Sequence, residues 1–252
     1  MLIKKKIILN LTLFVLLSFP VFSQSSDLEK FGNHGESILK SATRFESNDL
    51  VNYGLTLGST FLAYQADEEV NNFFKRNKTP FLNSLSEFNK YSVYVVFAAA
   101  GGLYLHGKIY NKQKNTDLGV NLGSALIYST LFTQILKMTF GRERPTITDD
   151  NSNFHFFETS WDKTSFPSGH ATAGFAFASV MALSTDNDVE KVFYWTVAGL
   201  MATERLYNSH HWLSDVVLGS AIGYFTGSLI ASQRGQDKET VTIPLFNINY
   251  RF

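Results

Sequence analysis

"SFPSGHATAGFAFASV", residues 165–180, sets Pro, Ser, Gly and His directly ahead of a run of small and apolar side chains. Ser168 is a good helix cap, and Gly169 lets a group come close to the backbone. The run that follows predicts a buried helix beginning at Gly169. The first-turn N–H groups of such a helix have no intrahelical partners, and the helix dipole favours negative charge beside them. Taken alone, the stretch reads equally as an ordinary capped helix with a packed histidine. The decision rests on whether other segments supply cations and a second histidine.

Working outward, the apolar segments are 50–66, 91–105, 118–136, 169–185, 192–203 and 216–232, rich in Ala, Leu, Gly and Phe. Their lengths suit helices, so the expected fold is all-α, one six-helix bundle over residues 50–232. A polar leader (24–49) precedes it, and a tail (233–252) follows. Within the tail "TVTIPLFNINYRF" reads as a short extended segment interrupted by Pro244. Glycines four apart (Gly54 and Gly58, Gly119 and Gly123, then Gly219, Gly223 and Gly227) suit close helix packing. At the N-terminus, Lys4, Lys5 and Lys6 precede an apolar run, and Val21-Phe22-Ser23 offers a cleavage site. Residues 1–23 therefore read as a signal peptide of an exported chain. The chain has no Cys, which excludes disulfides, thiol catalysis and thiolate metal sites. Its 22 basic and 22 acidic side chains give no overall pull toward nucleic acid. The 23 Phe supply apolar surface for a core or for lipid.

Two more clusters complete the reading. "KMTFGRERP" (137–145) carries Lys137 and Arg144 where a helix would end, an ordinary place for basic residues. "ERLYNSHHWLSDV" (204–216) carries Arg205, His211 and Asp215. His211 and Asp215, four apart, share one face of a helix, and a carboxylate behind an imidazole fixes its tautomer and orientation. Each pattern has a bland reading. Their ordered coincidence in one chain falls below about one in a million by residue frequencies. Lys137, Arg144 and Arg205 supply three cations, and the Ser168 hydroxyl with the Gly169 N–H adds neutral donors. That set fits a cage for a tetrahedral oxyanion such as phosphate. His211, oriented by Asp215, can attack phosphorus, while His170 donates a proton to the leaving alkoxide and later activates water. The cations replace a metal, so no metal or cofactor is expected.

Lys137 with Arg144-Pro145, then Pro167-Ser168-Gly169-His170, then Arg205 with His211 and Asp215, resemble the three motifs of the type 2 phosphatidic acid phosphatase (PAP2) superfamily. That group also holds class A acid phosphatases and vanadium-dependent haloperoxidases. The resemblance implies a metal-independent phosphomonoester hydrolase working through a phosphohistidine. In it His211, His170 and Asp215 are catalytic, and Lys137, Arg144, Ser168, Gly169 and Arg205 hold phosphate. One departure stands out: Glu204 occupies the place of the family's usual Ser, where it could pair with Arg205 or point away.

Rival readings are a zinc hydrolase built on His170, His210, His211 and Asp215, a haloperoxidase, a soluble periplasmic acid phosphatase, and an inactive scaffold. The substrate expected is a phosphorylated lipid or a small phosphomonoester. Phe154, Phe156, Phe157 and Trp161, between two of the clusters, could meet an acyl chain or merely cap the bundle. The expected location is the periplasmic side of the cell envelope, in association with membrane.

Overall fold

The structure, a computed structural model, describes residues 25–43 and 47–233. Among them the chain forms nine α-helices: α1 (Ser25–Ala42), α2 (Ser47–Gln65), α3 (Asp67–Arg76), α4 (Pro80–Asn89), α5 (Ser92–Ile109), α6 (Gln113–Phe140), α7 (Gly169–Ala182), α8 (Asp188–Tyr207) and α9 (Leu213–Ser232). A 3-10 turn at Trp161–Lys163 and an isolated antiparallel bridge between Arg142 and Phe154 complete the regular structure. The fold is all-α, as expected. The expected signal peptide and extended tail lie outside the described residues.

Each of the six expected helices is present, as α2 and α5 to α9. Three more appear where polar segments were expected. The leader contains α1, which has few apolar side chains but many polar attachments. Lys30 Nζ pairs with Asp117 at 2.8 Å, Lys108 with Asp27 at 2.7 Å, and His34 Nδ1 meets Ser124 Oγ at 2.9 Å. A search for apolar periodicity overlooks a helix docked in this way. The connector after α2 folds into α3, whose first turn holds Asp67, Glu68 and Glu69 and whose last holds Lys75 and Arg76, both matched to the helix dipole. Thr79 then caps α4, with Pro80 at its first position.

α7 is the central element, packed against α6, α8 and α9. The core it shares with them includes Leu122, Leu126, Ala173, Ala176, Val180, Met201 and Ile230. Close approach of α9 to α7 requires glycine. A Cβ on Gly219 would lie 2.4 Å from Ser168 O, and one on Gly223 would lie 2.2 Å from Thr172 O. α6 stops at Gly141, whose φ of 57° is left-handed and whose missing side chain makes room for His155 O.

The outer faces carry an apolar belt: Leu57, Phe61 and Leu62 on α2, Tyr94 and Val95 on α5, Phe132 and Ile135 on α6, Val192 and Phe193 on α8, all exposed. Among the described residues one helix, α9, is long and apolar enough to cross a membrane by length and composition.

Candidate active site

Three segments meet at one end of the bundle. The first leaves α6 through Lys137 and runs over Gly141 to Arg144. The second is the start of α7, capped by Ser168. The third is the turn between Arg205, in the last turn of α8, and Asp215, in the first turn of α9. The N-termini of α7 and α9 touch directly, because Ser168 N–H donates to Asp215 O at 2.8 Å. The oxygens of Ser168 and Asp215 both cap helices. Ser168 Oγ accepts from Ala171 N at 3.5 Å, and Asp215 Oδ2 accepts from Trp212 N at 2.9 Å.

Lys137 and Arg144 are both buried, and their hydrogen bonds go to carbonyl oxygens. Lys137 Nζ donates to Thr164 O at 2.6 Å and Ser165 O at 3.0 Å. Arg144 donates to Trp161 O at 2.8 Å and His210 O at 2.7 Å, and its guanidinium lies 3.8 Å over the Trp161 ring. Among the described residues, neither cation forms an ion pair. Arg144 Nη1 lies 3.2 Å from His211 Nε2, and Arg205 Nη1 lies 3.4 Å from His170 Nδ1. Each histidine thus stands beside a guanidinium. Gly169 opens α7, and the Lys137 chain passes 3.9 Å from where its Cβ would be.

His211 is not on a helix with Asp215, as the spacing suggested. It precedes Trp212, the residue before α9, and Asp215 reaches back from the helix's first turn. His211 Nδ1 stands 3.4 Å from Asp215 Oδ2 and 3.3 Å from Ser165 Oγ, which itself donates to Asp215 Oδ2 at 2.5 Å. With Nδ1 engaged on this side, Nε2 is the nitrogen turned to Arg144. Glu204 is buried against Arg205, bonding its Nε and Nη2, and accepts from Asn208 Nδ2 at 2.5 Å.

The electrostatics follow from burial and crowding. Burial, with Arg144 beside it, takes Lys137 well below the usual lysine range. Burial also brings Arg144 down to about 10, against the pull of Asp215 and with a push from Arg205. His170 falls to about 3 through burial, then Arg205 and Lys137. His210 falls to about 4 through burial, then Arg205 and Arg144. His211 is lowered well below its ordinary value by burial and Arg144, with Asp215 opposing. Protonated groups here repel one another in a desolvated place, and a dianion among them would relieve that repulsion.

Behind the histidine lies a network that the sequence reading did not find. Arg142 is fully buried and spans two carboxylates, with Nη2 2.6 Å from Asp67 Oδ2 and Nη1 2.7 Å from Asp215 Oδ1. Ser214 joins it, donating from N and Oγ to Asp67 at 2.8 and 2.7 Å. Burial raises the proton affinity of Asp215, but Arg142 and then His211 outweigh it and hold the carboxyl below its usual range. Asp67, in the first turn of α3, brings that helix into the site. The Arg-x-Arg spacing around Glu143 was the one signal that pointed to Arg142.

The loop over the site divides its aromatics. Phe154 lies 5.2 Å from the Arg142 guanidinium, and Trp161 covers Arg144, while Phe156 and Phe157 are exposed.

Known proteins resemble the chain across this region. Residues 118–239 match the PAP2 superfamily model. A lipid A 1-phosphatase of Porphyromonas gingivalis is 35% identical over 95 residues, which are 37% of this chain and 18% of that protein. The lipid A 1-phosphatase of Rhizobium etli is 32% identical over 116 residues, 45% of this chain and 49% of that protein. The chain therefore spans half or less of the length of these relatives. Among solved structures, a transmembrane PAP2-type phosphatidylglycerolphosphate phosphatase of Bacillus subtilis superposes with a TM-score of 0.55 at 17% identity, covering 73% of this chain and 94% of its own. The matched residues contain every member of the cluster from Lys137 to Asp215, and over them the chain resembles the PAP2 superfamily.

Proposed function

We propose that the chain is a metal-independent phosphatase that hydrolyses a phosphomonoester carried by a lipid. The observation that carries this reading is the pair of buried cations, Lys137 and Arg144, without ion-pair partners among the described residues, beside a neutral His211 whose Nε2 faces Arg144. With Arg205 they would neutralise the equatorial oxygens of the phosphoryl group. His211 Nε2 forms a bond to phosphorus as the ester P–O bond breaks, and His170 gives the departing alkoxide its proton. Water then attacks phosphorus, His170 takes a proton from it, and the P–N bond breaks to release phosphate. The bound dianion restores the proton affinity that His170 loses to the surrounding cations.

The apolar belt on α2, α5, α6 and α8 supports a seat in lipid, which would present an acyl-anchored phosphate to the site. The signal-like N-terminus supports export, with the site facing the periplasm. The two relatives carry lipid A names, whereas for this chain the reading stops at a phosphomonoester on an apolar anchor.

The test is phosphate release from lipid and soluble phosphomonoesters by the full chain in detergent. Vanadate should inhibit it, and a chelator should not. His211→Ala should lower kcat at least about 10³-fold with an unchanged Tm. An undiminished rate in that variant would remove the nucleophile from the proposal.

A further inference from the structure

Beside the anion site, between α4 and the turn after α8, lies a cavity of about 400 Å³ lined by Asn83, Ser86, Glu87, Lys90, Asn208 and His210. Every lining residue is polar, and the charges cancel. Glu87 and Lys90 form an ion pair at 2.6 Å, and burial leads the effects that hold His210 to about 4, so its ring is neutral at pH 7. The cavity adjoins the phosphate cage through single bonds. Asn208 bonds Glu204, which holds Arg205, and His210 is the neighbour of His211 and accepts on its carbonyl from Arg144.

The groups on the wall offer both donors and acceptors. Asn83 Oδ1 is used by the Tyr207 hydroxyl at 2.6 Å, which leaves its NH₂ to donate. Asn208 commits its Nδ2 to Ser86 Oγ and Glu204 Oε1, both at 2.5 Å, which leaves its oxygen to accept. His210 Nδ1 is buried without a partner, a cost that turning the ring toward a ligand hydroxyl would remove. A neutral wall of alternating donors and acceptors suits a ligand whose groups do both. Adjacent hydroxyls on a sugar ring do so, whereas the ester oxygens of a diacylglycerol phosphate only accept. A second phosphate would call for net positive charge, which this wall lacks.

We infer that the α4 cavity is a headgroup subsite for a saccharide, which makes the preferred substrate a lipid phosphate whose phosphoryl group is borne on a sugar. This rests on the phosphatase reading above. A pocket built to bond hydroxyls discriminates against analogues that lack them, because its polar groups are then left unpaired.

The experiment compares two substrates in detergent, a synthetic glycosyl phosphate lipid and phosphatidic acid, for the wild-type chain, Asn83→Ala and Lys90→Ala. For the glycosyl phosphate lipid, kcat/KM should exceed that for phosphatidic acid and should fall about tenfold in each variant, through KM. Phosphatidic acid turnover and vanadate inhibition should stay within twofold. A fall shared equally by both substrates, or no change in either, would overturn the subsite. Should the wild type release no phosphate from either substrate, the phosphatase reading fails instead. The subsite is then read from binding of the dephosphorylated glycolipid by microscale thermophoresis, which the two variants should weaken about tenfold; equal binding by all three chains refutes it.

Discussion

Arg142 and Arg144 stand two residues apart on one loop, both buried, in opposite electrostatic settings. Arg142 lies between Asp67 and Asp215, its charge fully matched within the protein. Arg144 meets three carbonyls, a tryptophan face and an imidazole, and is crowded by Arg205. The first guanidinium has its charge consumed by the fold, joining α3 to α9 and setting the carboxylate that faces His211. The second keeps its charge for a ligand. Identical residue types can therefore be sorted into scaffold and site by asking which anion answers each cation.

The largest effect that could break this contrast is on stability. Arg142→Met leaves two buried carboxylates without their cation and should cost about 3–5 kcal/mol by thermal or urea unfolding. Arg144→Met should leave Tm within a few degrees, since relief from burying an unmatched charge offsets its lost bonds to carbonyls. A reversed order of the two melting temperatures would break the comparison. Activity should rank them differently. Arg144→Met should lower kcat/KM about 10²–10³-fold in a folded protein and weaken vanadate inhibition with it.

Acid offers a subtler separation. His170, His210 and His211 bind protons less readily folded than unfolded. Between about pH 6.5 and pH 4 the unfolded chain therefore takes up more protons, and stability falls as pH falls. Asp215 is displaced in the same direction but from the lower carboxylate range, so its contribution is retained above that range and is lost only below it. Melting scans from pH 7 to pH 4.5 should show a steady decline that millimolar phosphate partly offsets. A residual decline should persist from His34, which burial and Lys30 hold to about 4 on α1. A decline indifferent to phosphate would detach the histidines from the anion site.

The smallest expected effect concerns Glu204. Its carboxylate occupies Arg205 and competes with a bound anion, so Glu204→Ser should tighten inhibition by inorganic phosphate about three- to tenfold. Weaker inhibition would instead mean that Glu204 is needed to aim Arg205.

The sequence disclosed the parts of this molecule that repeat or cluster. Six apolar runs marked six helices, and three short motifs marked the eight residues brought to one end of the bundle. What stayed hidden depends on pairings between distant polar residues. α1 docks through Lys30, His34 and Asp27, none of which forms an apolar stripe. Asp67 lies in a polar connector, and its partner Arg142 is 75 residues away in sequence. The helical spacing of His211 and Asp215 identified the right pair but the wrong geometry, since the contact crosses a cap instead of running along a helix face.

The bare α-carbon of Gly219 has a consequence for the whole reaction centre. It lets α9 lie directly on the oxygen of Ser168, so the two helices that deliver His170 and Asp215 share one contact point with nothing between them. Adding a single methyl group there would wedge those helices apart and widen the gap that the transferred group must fit. The bore of the site is set by a side chain that is missing, and the residue governing its calibre need never touch the substrate.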